Sequence, residues 1–232
     1  MEILKGIEIK GKALWFKKQK VLVISDIHLG YEQTLVDSGI LVPKSMFQDI
    51  KKEFLELLNL KPKTIVINGD LKHEFGRISK QEWKDAIELL DLFQKESEVI
   101  LIRGNHDMFL DPIAKKKKLD VRDFFIFDDV CVLHGDKIFL EALDKQIKTL
   151  VIGHDHPAVS IEDGLKREKF KCFLLGKYKD KNLVVMPSFF NLVEGSDIKR
   201  ERLFSPFLKD LKKFKVFALG DKAYDFGKVK DL

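Results

Sequence analysis

Five short apolar runs in this sequence each hand over to a polar turn made of Asp, Asn, His and Gly. That repeated handover limits the fold more than any other feature. Val21–Ile24 leads into Ser25-Asp26-Ile27-His28, Thr64–Ile67 into Asn68-Gly69-Asp70-Leu71-Lys72-His73, and Val99–Ile102 into Arg103-Gly104-Asn105-His106-Asp107. Val130–Leu133 leads into His134-Gly135-Asp136, and Thr149–Ile152 into Gly153-His154-Asp155-His156. Short, continuous apolar runs of this kind read as strands buried on both faces. In open α/β sheets, ligands bind outside the carboxyl ends of such strands. All six histidines of the chain fall in these five turns. One histidine beside a strand is ordinarily a packed or surface residue; six so placed point to a shared site.

Imidazole and carboxylate donors together suit manganese, iron, nickel or zinc. No cysteine joins the set, which excludes a structural zinc of the finger type. Cys131 and Cys172 lie in apolar strand-like runs and read as buried thiols. Residues two apart on extended chain point to one side, so Asp26 and His28 are expected to face together, as are His154 and His156. Gly69, Gly104 and Gly153 suit tight turns where backbone passes close to metal or substrate. The candidate ligands Asp26, His28, Asp70, Asn105, His134, His154 and His156 are too many for one ion. One shared carboxylate would give each of two ions four protein ligands. Two ions about 3.5–4 Å apart form the clamp used for in-line displacement at phosphorus.

The intervening segments predict the architecture. Phe47, Ile50, Phe54, Leu57 and Leu58 fall on one face of a helix from about Ser45 to Asn59. Ser79-Lys80-Gln81-Glu82 is a capping-box start, followed by the stripe Trp83, Ile87, Leu90 and Phe93 of a helix ending near Lys95. Ile7–Phe16 breaks at Lys10-Gly11-Lys12 as a hairpin, and after residue 120 the pattern is mostly strands. The expected fold class is α/β, a four-layer αββα sandwich of two mixed β-sheets with helices on the outside. It is expected to form a single domain over 1–232, with a catalytic core at about 20–190.

The hydrophobic fraction of 45% and charged fraction of 34% suit a chain that closes a core rather than a disordered one. No apolar run approaches the ~18 residues of a membrane span, and the first twelve residues lack the apolar stretch of a signal peptide. A cytoplasmic enzyme is expected. Residues 197–232 hold ten Lys/Arg against six acids, a surplus of four of the chain's net +5. Such a segment can meet DNA through phosphate contacts, or simply be a solvated surface. The lysines at 115–118 read as a solvated charge run.

Taken in order, Asp-x-His, Gly-Asp, Gly-Asn-His-Asp, His and Gly-His-x-His resembles the calcineurin-like metallophosphoesterase superfamily, from Asp26 to His156. The string Ser25–Glu32 with Gly39-Ile40-Leu41-Val42-Pro43 is similar to the SbcD-related, ligase-associated phosphoesterases of archaea and bacteria. His73, three after Asp70, is similar to SbcD-type DNA-repair nucleases. The resemblance implies two divalent ions, manganese first, with iron, nickel or zinc as alternatives. Asp26, His28 and His156 would hold the first ion, Asn105, His134 and His154 the second, and Asp70 would bridge. His106 would contact the phosphate and protonate the leaving oxygen, Asp107 would orient His106, and His73 would contact substrate or support the ligands. The implied activity is phosphodiester hydrolysis, in the manner of a DNA-repair nuclease. A phosphomonoesterase or cyclic-nucleotide phosphodiesterase for small molecules is the alternative. His134 follows Asn105 by only 29 positions. That interval leaves no room for the DNA-binding insertion of the SbcD-type nucleases, so processive exonuclease action with a partner ATPase is not implied.

Overall fold

The structure, a computed structural model, describes residues 1–42, 46–164, 166–192 and 194–232. Pro43 of the glycine-to-proline string and Ser45, the expected helix start, lie outside the described residues. The first sheet holds seven strands in chain order: β1 (Glu2–Leu4), β2 (Ile7–Lys10), β3 (Ala13–Phe16), β4 (Val21–Ser25), β5 (Thr64–Asn68), β6 (Glu98–Ile102) and β7 (Val121–Arg122). The strands from β1 to β4 pair antiparallel, and those from β4 to β7 pair parallel.

The second sheet contains β8 (Phe124–Phe127), β9 (Val130–Leu133), β10 (Thr149–Ile152), β11 (Pro157–Asp163), β12 (Lys166–Tyr178), β13 (Lys181–Val185), β14 (Ser196–Asp197), β15 (Lys215–Leu219) and β16 (Ala223–Lys228). Here β10 runs parallel to β9 and β13, and β12 runs antiparallel to β13 and β15. Both sheets are therefore mixed, as the sequence predicts. The helices are α1 (Tyr31–Asp37), α2 (Met46–Leu58), α3 (Lys80–Gln94) and α4 (Asp111–Lys117). Among the described residues, no helix is long and apolar enough to cross a membrane.

Strand alternation explains why the central runs are apolar throughout. Val23, Val66 and Ile100 face Val132, Val151 and Val184 between the sheets. Their neighbours Ile24, Ile67 and Leu101 turn the other way, onto Ile50 and Phe54 of α2 and Leu89 and Phe93 of α3. On the outer face of the second sheet, Leu133, Ile152 and Leu174 are covered by Phe207, Leu208 and Phe214. A 3₁₀ turn, Glu141–Leu143, joins that cover. The fourth layer is thus mostly irregular chain, while the helices sit over the first sheet.

One detail of α3 differs from its sequence pattern. Trp83 is 37% exposed, and the buried face is Glu82, Asp85, Ala86, Leu89, Leu90 and Phe93. The helix is rotated because the Glu82 carboxylate is drawn inward. It accepts from the amides of His73 at 3.0 Å, Glu74 at 2.8 Å and Ser79 at 2.7 Å. The capping box is present, and its Glu also ties down the loop carrying His73.

Candidate metal centre

The ligand turns lie at the carboxyl ends of β4, β5, β6, β9 and β10, where the two sheets meet. Expected pleating of Asp26 with His28 and of His154 with His156 is not what brings them together. Their φ angles are 54°, 48°, 71° and 46°, and that of Asp70 is 49°. These are left-handed conformations, uncommon outside glycine, and residues held this way concentrate at functional sites. The backbone reverses at each residue, so the turns fold over the sheet edge and are laced together. His28 N–H donates to the Asp70 carbonyl at 2.9 Å, and Gly153 N–H to the His134 carbonyl at 2.8 Å. A Cβ on Gly104 would strike the Asp70 carboxylate and backbone, and one on Gly153 would strike Ser25 Oγ and the Asp26 carboxylate.

Ligand atoms of Asp26, His28, Asp70 and His156 all lie within 4.8 Å of one another. His156 Nε2 is 3.3 Å from Asp26 Oδ1, and His28 Nε2 is 3.2 Å from His156 Nε2. A second group adjoins through Asp70. His134 Nε2 is 3.4 Å from Asp70 Oδ2, 2.9 Å from Asn105 Oδ1 and 3.2 Å from His154 Nδ1. His28 Nε2 is 3.7 Å from the same Asp70 oxygen, which therefore faces both groups. All seven sequence-predicted ligands converge.

The electrostatics fit divalent cations. Asp26 and Asp70 are buried, and among the described residues no Lys or Arg lies within 4.0 Å of either. Burial, with Asp107 and Asp26 nearby, pushes the Asp70 carboxyl well above its usual range. Burial acts the same way on Asp26, but His156, His134 and His28 outweigh it and hold that carboxyl low. Burial, then His156, drives His28 well below the ordinary histidine value, and burial also lowers His134. Carboxyl groups buried among imidazoles, with no Lys or Arg within reach, are donors whose burial a divalent ion would compensate. The donors are carboxylate, imidazole and amide oxygen, without a thiolate; Cys131 and Cys172 are free and buried in the strands.

His106 stands beside the ligands. Its Nδ1 is 2.5 Å from the His73 carbonyl oxygen, and its Nε2 is 4.0 Å from Asp70 Oδ2. Asp107, expected to orient His106, does something else. Its carboxylate accepts from the amides of Gly104 at 3.0 Å and of Leu71 and Lys72 at 3.4 Å, and so ties two ligand turns together. The orienting group on His106 is the His73 carbonyl. The His73 ring forms a further cluster with His28 and His106, and burial, then His106, lowers it to about 4.

Three supporting residues escaped the sequence reading. Lys72 is buried, and its ammonium donates to the carbonyls of His106, at 2.7 Å, and Glu74. Ser188 Oγ donates to the Asp26 carbonyl at 2.8 Å, and Lys171 in turn donates to the carbonyls of Ser188 and Phe190. Only the position of Lys72 inside a ligand turn was visible in the sequence; nothing marked Ser188 or Lys171.

The basic C-terminal segment is anchored to the site. Asp155, between two ligand histidines, accepts from the amides of Phe204 at 2.6 Å and Ser205 at 2.8 Å. Ser205 Oγ donates to the carbonyl of Gly135, next to His134, at 2.6 Å. From there a cleft of about 870 Å³ runs between Arg202, Phe204, Lys209, Lys212 and Lys230.

The family model for calcineurin-like phosphoesterases matches residues 19–212, and the chain belongs to that family. It is thus a metallophosphoesterase, a hydrolase class that works with divalent metal ions. Among solved structures, it is similar to the Pseudomonas putida nuclease MPE, with a TM-score of 0.67 and 16% identity over 93% of this chain and 92% of that one. It is also similar to Yfce, a phosphoesterase from E. coli, at a TM-score of 0.46 and 16% identity over 90% of this chain and 97% of that one. No curated protein sequence matches the chain.

Proposed function

We propose that the chain is a two-metal phosphodiesterase acting as a nuclease on DNA, with a role in DNA repair. The observation that carries this reading is the position of Asp70. One of its oxygens lies 3.7 Å from His28 Nε2 and 3.4 Å from His134 Nε2, between two groups of donors. In this reading Asp26, His28, Asp70 and His156 hold one ion, and Asp70, Asn105, His134 and His154 hold the other. Manganese is the first choice for this nitrogen and oxygen set. When bound, the ions supply a water activated near neutral pH and neutralise charge on the phosphoryl oxygens.

The remaining work falls to the chain. His106 Nδ1–H donates to the His73 carbonyl, which fixes the ring and leaves Nε2 facing the site. Nε2 contacts the phosphate and carries the proton given to the leaving oxygen. Asp107 keeps the turns of Asp70 and His106 in register, while Lys72 and Glu82 hold the His73 loop beside them. A DNA substrate is supported by likeness of fold to a nuclease and by the basic cleft tied to Asp155.

A side-by-side assay with manganese tests the reading, using bis-p-nitrophenyl phosphate, p-nitrophenyl phosphate and single-stranded DNA. The diester and DNA should be cleaved and the monoester spared. Preference for the monoester would replace the reading with a small-molecule phosphatase.

A further inference from the structure

Phe75 stands beside the site with no part in holding metal. Its ring centroid is 3.7 Å from that of His106, with the planes inclined by 33°, yet the residue is 50% exposed. One part of this ring is therefore packed against the imidazole and the rest is open to whatever occupies the site. Met108 and Phe109, which follow directly on His106-Asp107, are 66% and 47% exposed. Large apolar side chains are thus exposed on both turns flanking His106, where burial would ordinarily be favoured.

The direction of His106 says what that surface meets. Nδ1 is taken by the His73 carbonyl, so Nε2 is the nitrogen available to substrate. The group that receives its proton is the leaving oxygen. A ring stacked on the imidazole face then lies alongside the body of the leaving group. We propose that Phe75 is a specificity-determining residue that stacks on a planar ring carried by the leaving group, an aryl ring or the base of a departing nucleoside, and selects such diesters over those whose leaving group carries no ring. This inference rests on the diester reading above. Aromatic faces accept any base, so the preference is for planarity and not for sequence.

Contact with a leaving group that is present before and during reaction strengthens binding of substrate and transition state alike. Its loss raises KM and leaves kcat nearly unchanged. The test compares methyl p-nitrophenyl phosphate with methyl 2,2,2-trifluoroethyl phosphate in the wild type, Phe75→Leu and Phe75→Trp, all loaded with manganese. Each variant is scored against the wild type on the same substrate, which cancels the intrinsic difference between leaving groups. Phe75→Leu keeps an apolar contact on His106. It should lose about tenfold in kcat/KM on the aryl diester, through KM, and stay within about twofold on the alkyl one. Phe75→Trp should restore the aryl rate. Equal losses on both diesters, carried by kcat, would show that Phe75 only buttresses His106 and would overturn the inference alone. A wild type that cleaves neither diester would overturn the diester reading and this inference with it.

Discussion

The His73 carbonyl oxygen lies 2.5 Å from Nδ1 of His106, so the backbone of one histidine fixes the ring of another. The loop holding that carbonyl is itself fixed by the Glu82 carboxylate, which accepts from the amides of His73 and Glu74. Ring placement at the site therefore depends on a helix start nine residues along the chain from His73. His106 is available for proton delivery because it coordinates nothing in the proposed arrangement.

His106→Ala should accordingly keep its metal and lose turnover. General acid–base groups contribute roughly 10²–10⁴-fold to rate, and a loss of that size is expected on an alkyl diester. Elemental analysis of the variant should return the wild-type metal content. Metal lost together with activity would make His106 a ligand.

Glu82→Ala should destabilise the chain by about 2–4 kcal/mol, because three backbone amides lose a buried acceptor. Denaturant unfolding checks this. A change within about 0.5 kcal/mol, typical of surface substitutions, would mean that water replaces the carboxylate without cost.

Lys171 gives a pH signature. Burial, then the nearby charge of Lys12, lowers its ammonium from 10.5 to about 7. Between these values the unfolded chain binds the proton and the folded chain does not, so this group's contribution to stability rises with pH. The penalty for burying its charge is full below about 7 and is relieved as pH climbs toward 10.5. The stability of the wild type relative to Lys171→Met should therefore increase between pH 7 and 10. A constant difference over that range would contradict the buried charge.

The basic cleft should matter for polymers and not for small esters. Charge reversal at Arg202, Lys209 and Lys212, which line it, should weaken DNA binding and flatten its salt dependence. Turnover of bis-p-nitrophenyl phosphate should stay within about twofold. Unchanged DNA binding with an unchanged salt slope would remove the cleft from the substrate path.

Much of this was legible in the sequence because ligand chemistry is written in residue types. Asp26, His28, Asp70, Asn105, His134, His154 and His156 follow strands whose apolar runs are unmistakable, and strand order brings them to one edge. The means of convergence was not legible. Left-handed backbone at Asp26, His28 and Asp70 replaces simple pleating, and Asp and His, though enriched in that conformation, adopt it too seldom to announce it. The rotation of α3 was hidden for a similar reason: Trp83 extends the apolar stripe by spacing, but the pull on Glu82 from the His73 loop decides which face is buried. Asp107 looked like a partner for its neighbour His106, whereas its carboxylate holds the nearby Gly104 amide and two amides distant in sequence, Leu71 and Lys72. Long-range polar support of this kind, like that of Lys171 for the turn at Ser188, leaves no local pattern to read.

The central claim is that seven converging side chains hold two ions through a shared Asp70 for cleavage of a phosphodiester. Chelator-stripped protein titrated with manganese tests it most directly, with bound metal and bis-p-nitrophenyl phosphate turnover measured on the same samples. Turnover should appear with metal and saturate at two ions per chain, and Asp70→Asn should depress both ions' occupancy more than His28→Ala or His134→Ala does. Saturation at a single ion, equal losses across the three variants, or two bound ions with no diester cleavage would contradict it.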